Sequence, residues 1–117
     1  MTNIYLRRVE ELVIRHHSRS FLAHQLVFKN CFGAVAGYVD GHIFISCGKF
    51  GVALRLDPET LTELLKEADV TRLRYFPNGH IKKEYAVIPK RIINDQDRFK
   101  ELVDESLHYA LSNLPLT

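Results

Sequence analysis

The dipeptide Asp40-Gly41 constrains this chain most, because it stands between two runs of alternating apolar residues. A two-residue type I′ turn needs positive φ at both positions, and Asp-Gly tolerates that conformation well. The spacing therefore predicts a tight antiparallel hairpin over residues 31–48. The predicted pairs across the turn are Val39 with His42, Tyr38 with Ile43, and Gly37 with Phe44.

The hairpin has one predicted core face and one predicted outer face. Side chains alternate between the two faces of a strand, so the pairing collects seven mostly apolar residues on the core face. They are Phe32, Ala34, Ala36, Tyr38, Ile43, Ile45 and Cys47. Val35, Val39 and Phe44 then form a candidate partner face, since exposed apolar patches often mark protein contacts. The alternative is that residues 18–30, expected to be irregular, cover this face.

The remaining segments show helical and strand patterns in turn. Apolar residues recur at helical spacing in three segments, and Asp57-Pro58 is a typical helix start. The predicted elements outside the first hairpin are helices near 3–17, 57–68 and 94–112, a third strand at 52–57, and a second hairpin that joins 71–76 to 83–89. The last two strands are joined across Asn78-Gly79, a dipeptide that favours a hairpin turn.

These elements predict an α+β fold with two layers. The order is helix, three strands, helix, two strands, helix, and tight hairpins require antiparallel pairing. Helices with one apolar stripe need a sheet face to cover, so we expect an antiparallel five-stranded sheet with helices packed on one side. The 117 residues are typical of one domain, and no linker-like stretch divides them. We therefore expect a single domain over residues 1–117.

Patterns that carry enzymatic or metal chemistry are absent from the sequence. Gly48-Lys49 lacks the spacing of a phosphate-binding loop, and no Gly-x-Gly-x-x-Gly occurs. The six histidines show no His-x-x-x-His spacing, and the two cysteines lie in strand-like contexts typical of buried thiols. No serine or cysteine has a base within reach on its own predicted strand. We expect no catalytic residue, no cofactor and no metal site.

Hydropathy and the first residues favour the cytoplasm. No apolar run approaches the roughly 20 residues that cross a bilayer. Charged residues interrupt the first twelve positions, where a signal peptide needs an apolar core. We therefore expect a cytoplasmic protein that does not contact a membrane.

A basic stretch between residues 72 and 91 is the second candidate surface. Its six cations have only Glu84 as an acidic residue among them, although the net charge of the chain is only +2. They are Arg72, Arg74, Lys82, Lys83, Lys90 and Arg91. With Asn78-Gly79 as the loop, Arg74 faces Lys83, and a nucleic-acid phosphate would relieve that repulsion. The alternative is that these are solvated charges whose aliphatic stems cover apolar atoms.

The first hairpin resembles the N-terminal domain of TfoX/Sxy proteins. That family begins a strand with a Met-Phe-Gly-Gly-like motif, followed by an Asp-Gly turn and an apolar second strand. CFGAVAGYVDGHIF matches this pattern, with Cys31 and Ala34 as departures. Further matches are Asp57-Pro58-Glu59 after the third strand, the strand end Tyr85 to Pro89, and Ala110-Leu111 in the closing helix. The resemblance covers residues 6–114 and implies a fold similar to secretion-chaperone-like domains.

The resemblance also implies a function. Domains of this family occur in regulators of bacterial competence and are not enzymes. We therefore expect a regulatory or adaptor domain that acts through protein–protein contacts in transcriptional regulation. Direct binding of nucleic acid through the basic stretch is the alternative function. The expected partner is another protein, and a second copy of the chain is an alternative partner.

Overall fold

The computed structural model describes residues 4–16, 24–31, 33–74 and 79–112. Within these ranges the chain forms four helices and six strands. In chain order they are α1 Ile4–His16, β1 Leu26–Cys31, β2 Ala34–Val39, β3 His42–Gly48, β4 Gly51–Arg55, α2 Pro58–Leu64, β5 Thr71–Leu73, β6 Lys82–Ile88, α3 Lys90–Ile93 and α4 Gln96–Ser112.

The strands form one antiparallel sheet with the order β1-β2-β3-β4-β6-β5. The prediction of an α+β fold with an antiparallel sheet is therefore confirmed. The predicted number of five strands is wrong within the described ranges, because β1 lies largely in the segment 18–30, for which the sequence predicts no regular structure. All six residues of β1 pair with β2. Lys29 and Asn30 interrupt the apolar alternation of β1, so its strand conformation depends on the partner strand rather than on a local pattern.

The turn between β2 and β3 is confirmed as predicted. Asp40 has a φ of 48° and Gly41 a φ of 85°, the positive values that a type I′ turn requires. The chain that enters β1 holds the Asp40 carboxylate: the Gln25 N–H donates to Oδ1 at 2.8 Å, and His24 Nδ1 lies 2.6 Å from Oδ2. These contacts lower the pKa of Asp40, the bond from His24 most. The turn is therefore attached to the start of β1.

A β-bulge in β3 overturns the predicted register beyond the second pair. Tyr38 aligns with Ile43, but Gly37 aligns with Ile45, so Phe44 is the extra residue. The predicted pair of Gly37 with Phe44 is therefore wrong. A Cβ at position 37 would lie 2.6 Å from Ile45 Cγ2 and 2.9 Å from Phe28 Cε1, which explains why this position needs glycine.

The predicted partner face of Val35, Val39 and Phe44 is buried, and the prediction that it is exposed is wrong. These three side chains are 1%, 0% and 0% exposed and belong to the main hydrophobic cluster. The bulge places Phe44 and its neighbour Ile45 on the same face of the sheet, whereas neighbouring side chains of a regular strand point to opposite faces. The cluster thus takes Val35 and Val39 of β2, whereas Ala34, Ala36 and Tyr38 lie on the opposite face. Phe32, predicted for the core face, lies outside the described residues.

The helices of the described ranges pack on the sheet through one shared cluster. Every helix contributes buried side chains to it, so one sheet face receives all four. The predicted stripe of the last helix is confirmed, since Phe99, Leu102, Val103, Leu107 and Ala110 are buried. His16 of α1 is 5% exposed and meets the Phe99 ring edge-on, with 5.1 Å between ring centroids. Burial, with a smaller effect from the charge of Arg15, lowers the pKa of His16.

Ser106 joins α4 to the irregular part of the sheet. Its hydroxyl oxygen lies 2.6 Å from the Phe44 carbonyl oxygen and 2.6 Å from that of Arg55. The β3–β4 pairing ends at Ile45 and Leu54, one residue before these two carbonyls. The hydroxyl can donate to either carbonyl. It therefore supplies a hydrogen-bond donor to backbone carbonyls that lie beyond the last β3–β4 pair.

Candidate functional site

An open groove of about 510 Å³ lies between α2 and the end of the sheet that carries β5 and β6. We call it the α2–β6 groove; its principal lining residues are Leu56, Leu61, Arg72, Ile81, Lys83 and Glu84. Its volume is within the range of pockets that hold a small molecule or a few side chains.

Local sequence features place α2 beside this groove. The Asp57 carboxylate accepts a hydrogen bond from the Thr60 N–H at 3.1 Å, and Pro58 occupies the first helical turn. The helix therefore begins directly after Leu56, whose N–H donates to the Glu84 carbonyl at 2.9 Å. This bond extends the pairing of β4 with β6 and holds Leu56, at the bottom of the groove, beside Glu84 of β6. The helix ends at Leu64, so it is shorter than the predicted helix near 57–68, and Ala68 beyond its end is exposed.

The floor of the groove is aliphatic. Leu56 and Leu61 are 0% and 6% exposed, whereas Ile81, just before β6, is 40% exposed. Only Ile4 and Ile14 of α1 join Ile81 as large apolar side chains exposed within the described ranges. Unlike the two isoleucines of α1, Ile81 lines a groove together with buried leucines of the core. A concave site lined by apolar side chains with a few polar groups is typical of a binding surface.

The sheet side of the groove has an excess of positive charge. Arg72 and Lys83 both line this side of the groove, and Arg72 Nη1 donates to the Lys83 carbonyl at 3.0 Å, which holds the guanidinium against β6. Glu84 does not neutralise them, since its carboxylate accepts from the Tyr109 hydroxyl and lies 3.4 Å from Arg55 Nη2. Arg55 also stacks over the Tyr109 ring at 5.1 Å from its centroid. The bond to Glu84 raises the pKa of Tyr109.

The structure divides the six predicted anion contacts between two places. Arg72, Arg74, Lys82 and Lys83 lie on or beside the last two strands of the sheet, and all four are exposed. Lys90 and Arg91 lie on α3 instead. Arg91 Nη2 lies 2.7 Å from Asp69 Oδ1 and 3.0 Å from Glu67 Oε1, and Glu67 also binds Arg98. These carboxylates, Asp69 most, raise the pKa of Arg91. Arg91 is thus exposed, but its charge is already paired with carboxylates of the same chain.

The predicted pairing of Arg74 with Lys83 is wrong. Arg72 aligns with Ala86 and Leu73 aligns with Lys82, so residues 83–85 have no partner on β5. The register shifts between Arg72 and Leu73, which leaves these residues without partners on that edge of β6. The predicted pair of like charges therefore does not form. The sequence also places the aromatic residues Tyr75 and Phe76 among these cations, where they are expected to stack on nucleic-acid bases. Both lie outside the described residues.

No group of three or more His, Cys, Asp or Glu residues in the described ranges is placed to hold a metal ion. Cys47 is buried, and burial raises the pKa of its thiol. A raised pKa keeps the thiol protonated and unreactive. In the same part of the chain, no helix is both long and apolar enough to cross a membrane.

Sequence reasoning missed the groove itself, although it named Arg72 and Lys83. The signal for Ile81 was weak, since a single isoleucine before two lysines resembles an ordinary strand end. Leu56 and Leu61 were predicted as core residues, and they are buried at the groove's floor. Only the packing of α2 beside β6 brings these residues together.

One of three comparisons with known proteins finds a similarity. The family model described as the TfoX N-terminal domain matches residues 22–110, about three quarters of the chain. No curated protein matches. No solved structure matches either.

Proposed function

Since the chain belongs to the TfoX N-terminal domain family, we propose that it is a non-enzymatic regulatory or adaptor domain that acts through protein–protein contacts in transcriptional regulation. This family is not known for enzymatic activity. Domains of this family occur in regulators of bacterial competence. This occurrence supports two further parts of the proposal: the protein acts in the bacterial cytoplasm, and the process that it regulates is competence.

The observation that carries the proposal is the α2–β6 groove with Ile81 exposed at its floor. Burial of such a side chain against a partner releases water from apolar surface, which drives protein association. The cations Arg72 and Lys83 beside it supply a polar rim, as protein interfaces usually have. The earlier candidate face cannot serve in this way, because Val35, Val39 and Phe44 are in the core.

Site-specific crosslinking tests the protein contact. A photoreactive amino acid replaces Ile81 in the chain produced in its native bacterium, and the same amino acid replaces Ile14 in the control. Ile14 is also exposed, at 67%, but lies on α1. We expect discrete protein adducts from position 81 that position 14 does not give. Adducts that are the same at both positions, or no adducts from position 81, would contradict the proposal. An adduct with a second copy of the chain would favour a homodimer instead.

A transcript comparison tests the regulatory role. Cells that lack the chain are complemented with the wild type, with Ile81→Asp or with Ile14→Asp, and their transcripts are sequenced. We expect Ile81→Asp to reproduce the transcript changes of the deletion, while Ile14→Asp restores the wild-type pattern. Identical transcripts in the deletion strain and the wild type would refute a role in transcription.

Direct nucleic-acid binding is the second candidate function. The observation that favours it is the exposure of Arg72, Arg74, Lys82 and Lys83 at one end of the sheet. The test is a titration of labelled single- and double-stranded nucleic acid at low and near-physiological salt. Binding with a steep salt dependence, lost in Arg74→Gln/Lys83→Gln/Lys90→Gln but kept in Arg7→Gln/Lys49→Gln/Lys100→Gln, would support it. No binding at low salt would exclude it.

A further inference from the structure

We propose that the α2–β6 groove binds a short segment of a partner protein in which a bulky apolar side chain is next to acidic residues. This inference rests on the proposed function and names the chemistry of its partner. The apolar side chain packs on Leu56, Leu61 and Ile81, and the acidic residues meet Arg72 and Lys83.

The floor determines the apolar part of the segment. Leu56 and Leu61 belong to the main hydrophobic cluster, while Ile81 beside them is still 40% exposed. A side chain seated here extends that cluster and removes the exposed surface of Ile81 from water. The floor of the described groove is aliphatic rather than aromatic, so it offers no ring on which a nucleic-acid base would stack. A peptide side chain fits this floor better than a base does.

The rim determines the charge of the segment. Arg72 and Lys83 line the same groove, and the bond from Arg72 to the Lys83 carbonyl fixes the guanidinium there. Two positive charges in one groove favour an acidic ligand. An arginine fork can bind a carboxylate with two parallel hydrogen bonds. The one carboxylate of the groove, Glu84, is already engaged by Arg55 and Tyr109. The acidic groups that match this rim therefore come from the partner.

The helix side of the groove gives the bound segment a direction. Beyond Pro58 and Thr62 the surface of α2 carries Glu59 and Glu63, which line an adjoining depression. Glu63 is paired with Lys66 at 2.8 Å, whereas Glu59 lies near the helix start. Like charges repel, so the acidic residues of a bound segment point away from α2 and toward the strands. A basic segment would instead be repelled by Arg72 and Lys83 on the strand side.

The probes are three fluorescein-labelled synthetic dodecapeptides. The first has two leucines and a phenylalanine followed by three aspartates in a Gly-Ser framework. The second replaces the aspartates with lysines, and the third replaces the apolar residues with serines. Each is titrated into the full chain by fluorescence polarisation, and amide NMR shifts locate the contact. We expect saturable binding of the first peptide alone, with the largest shifts at Leu56, Ile81 and Lys83.

Matched variants separate the apolar and charged contributions. We expect Ile81→Asp to abolish binding of the first peptide and Ile14→Asp to change it by less than about twofold, as typical of a remote surface change. Arg72→Gln/Lys83→Gln should weaken binding about five- to tenfold and remove most of its salt dependence, as for two solvent-exposed charge pairs. Arg7→Gln/Lys100→Gln, with the same loss of charge elsewhere, should leave it unchanged. Circular dichroism confirms that each variant is folded.

Three outcomes would overturn the inference: equal binding of the lysine peptide, equal binding of the serine peptide, or shifts that lie outside the groove. Crosslinking at position 81 distinguishes this failure from failure of the proposed function. A captured partner whose crosslinked segment lacks adjacent apolar and acidic residues refutes the inference and leaves the proposed function intact. Specific peptide binding without any captured protein supports the groove chemistry and contradicts the proposed function.

Discussion

Ser106→Ala tests whether one hydroxyl holds the last helix to the bulged strand. Ser106 is 0% exposed, and its oxygen lies 2.6 Å from two backbone carbonyl oxygens, those of Phe44 and Arg55. Alanine fills most of the same space but cannot donate. The variant therefore leaves a buried carbonyl without its donor, and both carbonyls lose the one polar group that they share.

The magnitude follows from two opposing effects. An unsatisfied buried carbonyl costs about 1–3 kcal/mol of the free energy of unfolding. Alanine has a higher helix propensity than serine, which adds about 0.5 kcal/mol to the free energy of unfolding through α4. We expect a net loss of about 0.5–2.5 kcal/mol, a substantial part of the roughly 5–15 kcal/mol that stabilises a typical domain. For a chain of this size the melting temperature falls by about 2–10 °C.

Urea unfolding monitored by circular dichroism measures this loss. The matched control is Ser112→Ala on the same helix, where the serine is exposed and its hydroxyl donates to the Tyr109 carbonyl at 3.0 Å. The control should change the free energy of unfolding by less than about 0.5 kcal/mol. Ser106→Cys keeps a weak donor and should fall between alanine and the wild type. Equal stabilities of Ser106→Ala and Ser112→Ala would refute the role assigned to the hydroxyl.

Gly37→Ala should lower the free energy of unfolding by about 1–3 kcal/mol in urea, because its Cβ would lie 2.6 Å from Ile45 Cγ2; unchanged stability would contradict the close packing. Burial lowers the pKa of His16, so the unfolded chain binds the proton first and stability should fall below about pH 6.5. His16→Gln should flatten that pH dependence, and a pH profile equal to that of the wild type would disprove it. Glu67→Gln removes the carboxylate that two arginines share. Its melting temperature should fall at low salt and less at 1 M NaCl, and a salt-independent change would point to lost packing instead.

Local sequence patterns were sufficient for most of the secondary structure. The Asp40-Gly41 turn, the Asp57 cap and the apolar stripe of the last helix all appear as predicted. Each depends on residues close in sequence, where steric preference and hydrogen bonding act within a few positions. The β1 strand was missed, because Lys29 and Asn30 obscure its alternation and its order comes from pairing with β2.

The candidate site was less predictable than the fold. Arg72 and Lys83 were named as anion contacts, but their relative positions depend on the irregular register between β5 and β6. That register also removes the predicted contact between Arg74 and Lys83. The network around Glu67 joins positions about 24 and 31 residues apart in sequence, which no local pattern indicates. Charge density in a sequence therefore does not show which charges are already paired.

The sequence by itself determined the element types, the first turn and the α+β class, because these follow from backbone sterics and from apolar periodicity. Only the tertiary structure decided which sheet face the helices cover. The bulge at Phe44 interrupts the two-residue alternation by one position, and one position moves a side chain from one face to the other. Ile45 and Cys47 thereby share the covered face with Val35, Val39 and Phe44, and all five are in the core. The packing of α2 beside β6 left Ile81 at the surface. Both results depend on contacts between segments that are distant in the chain.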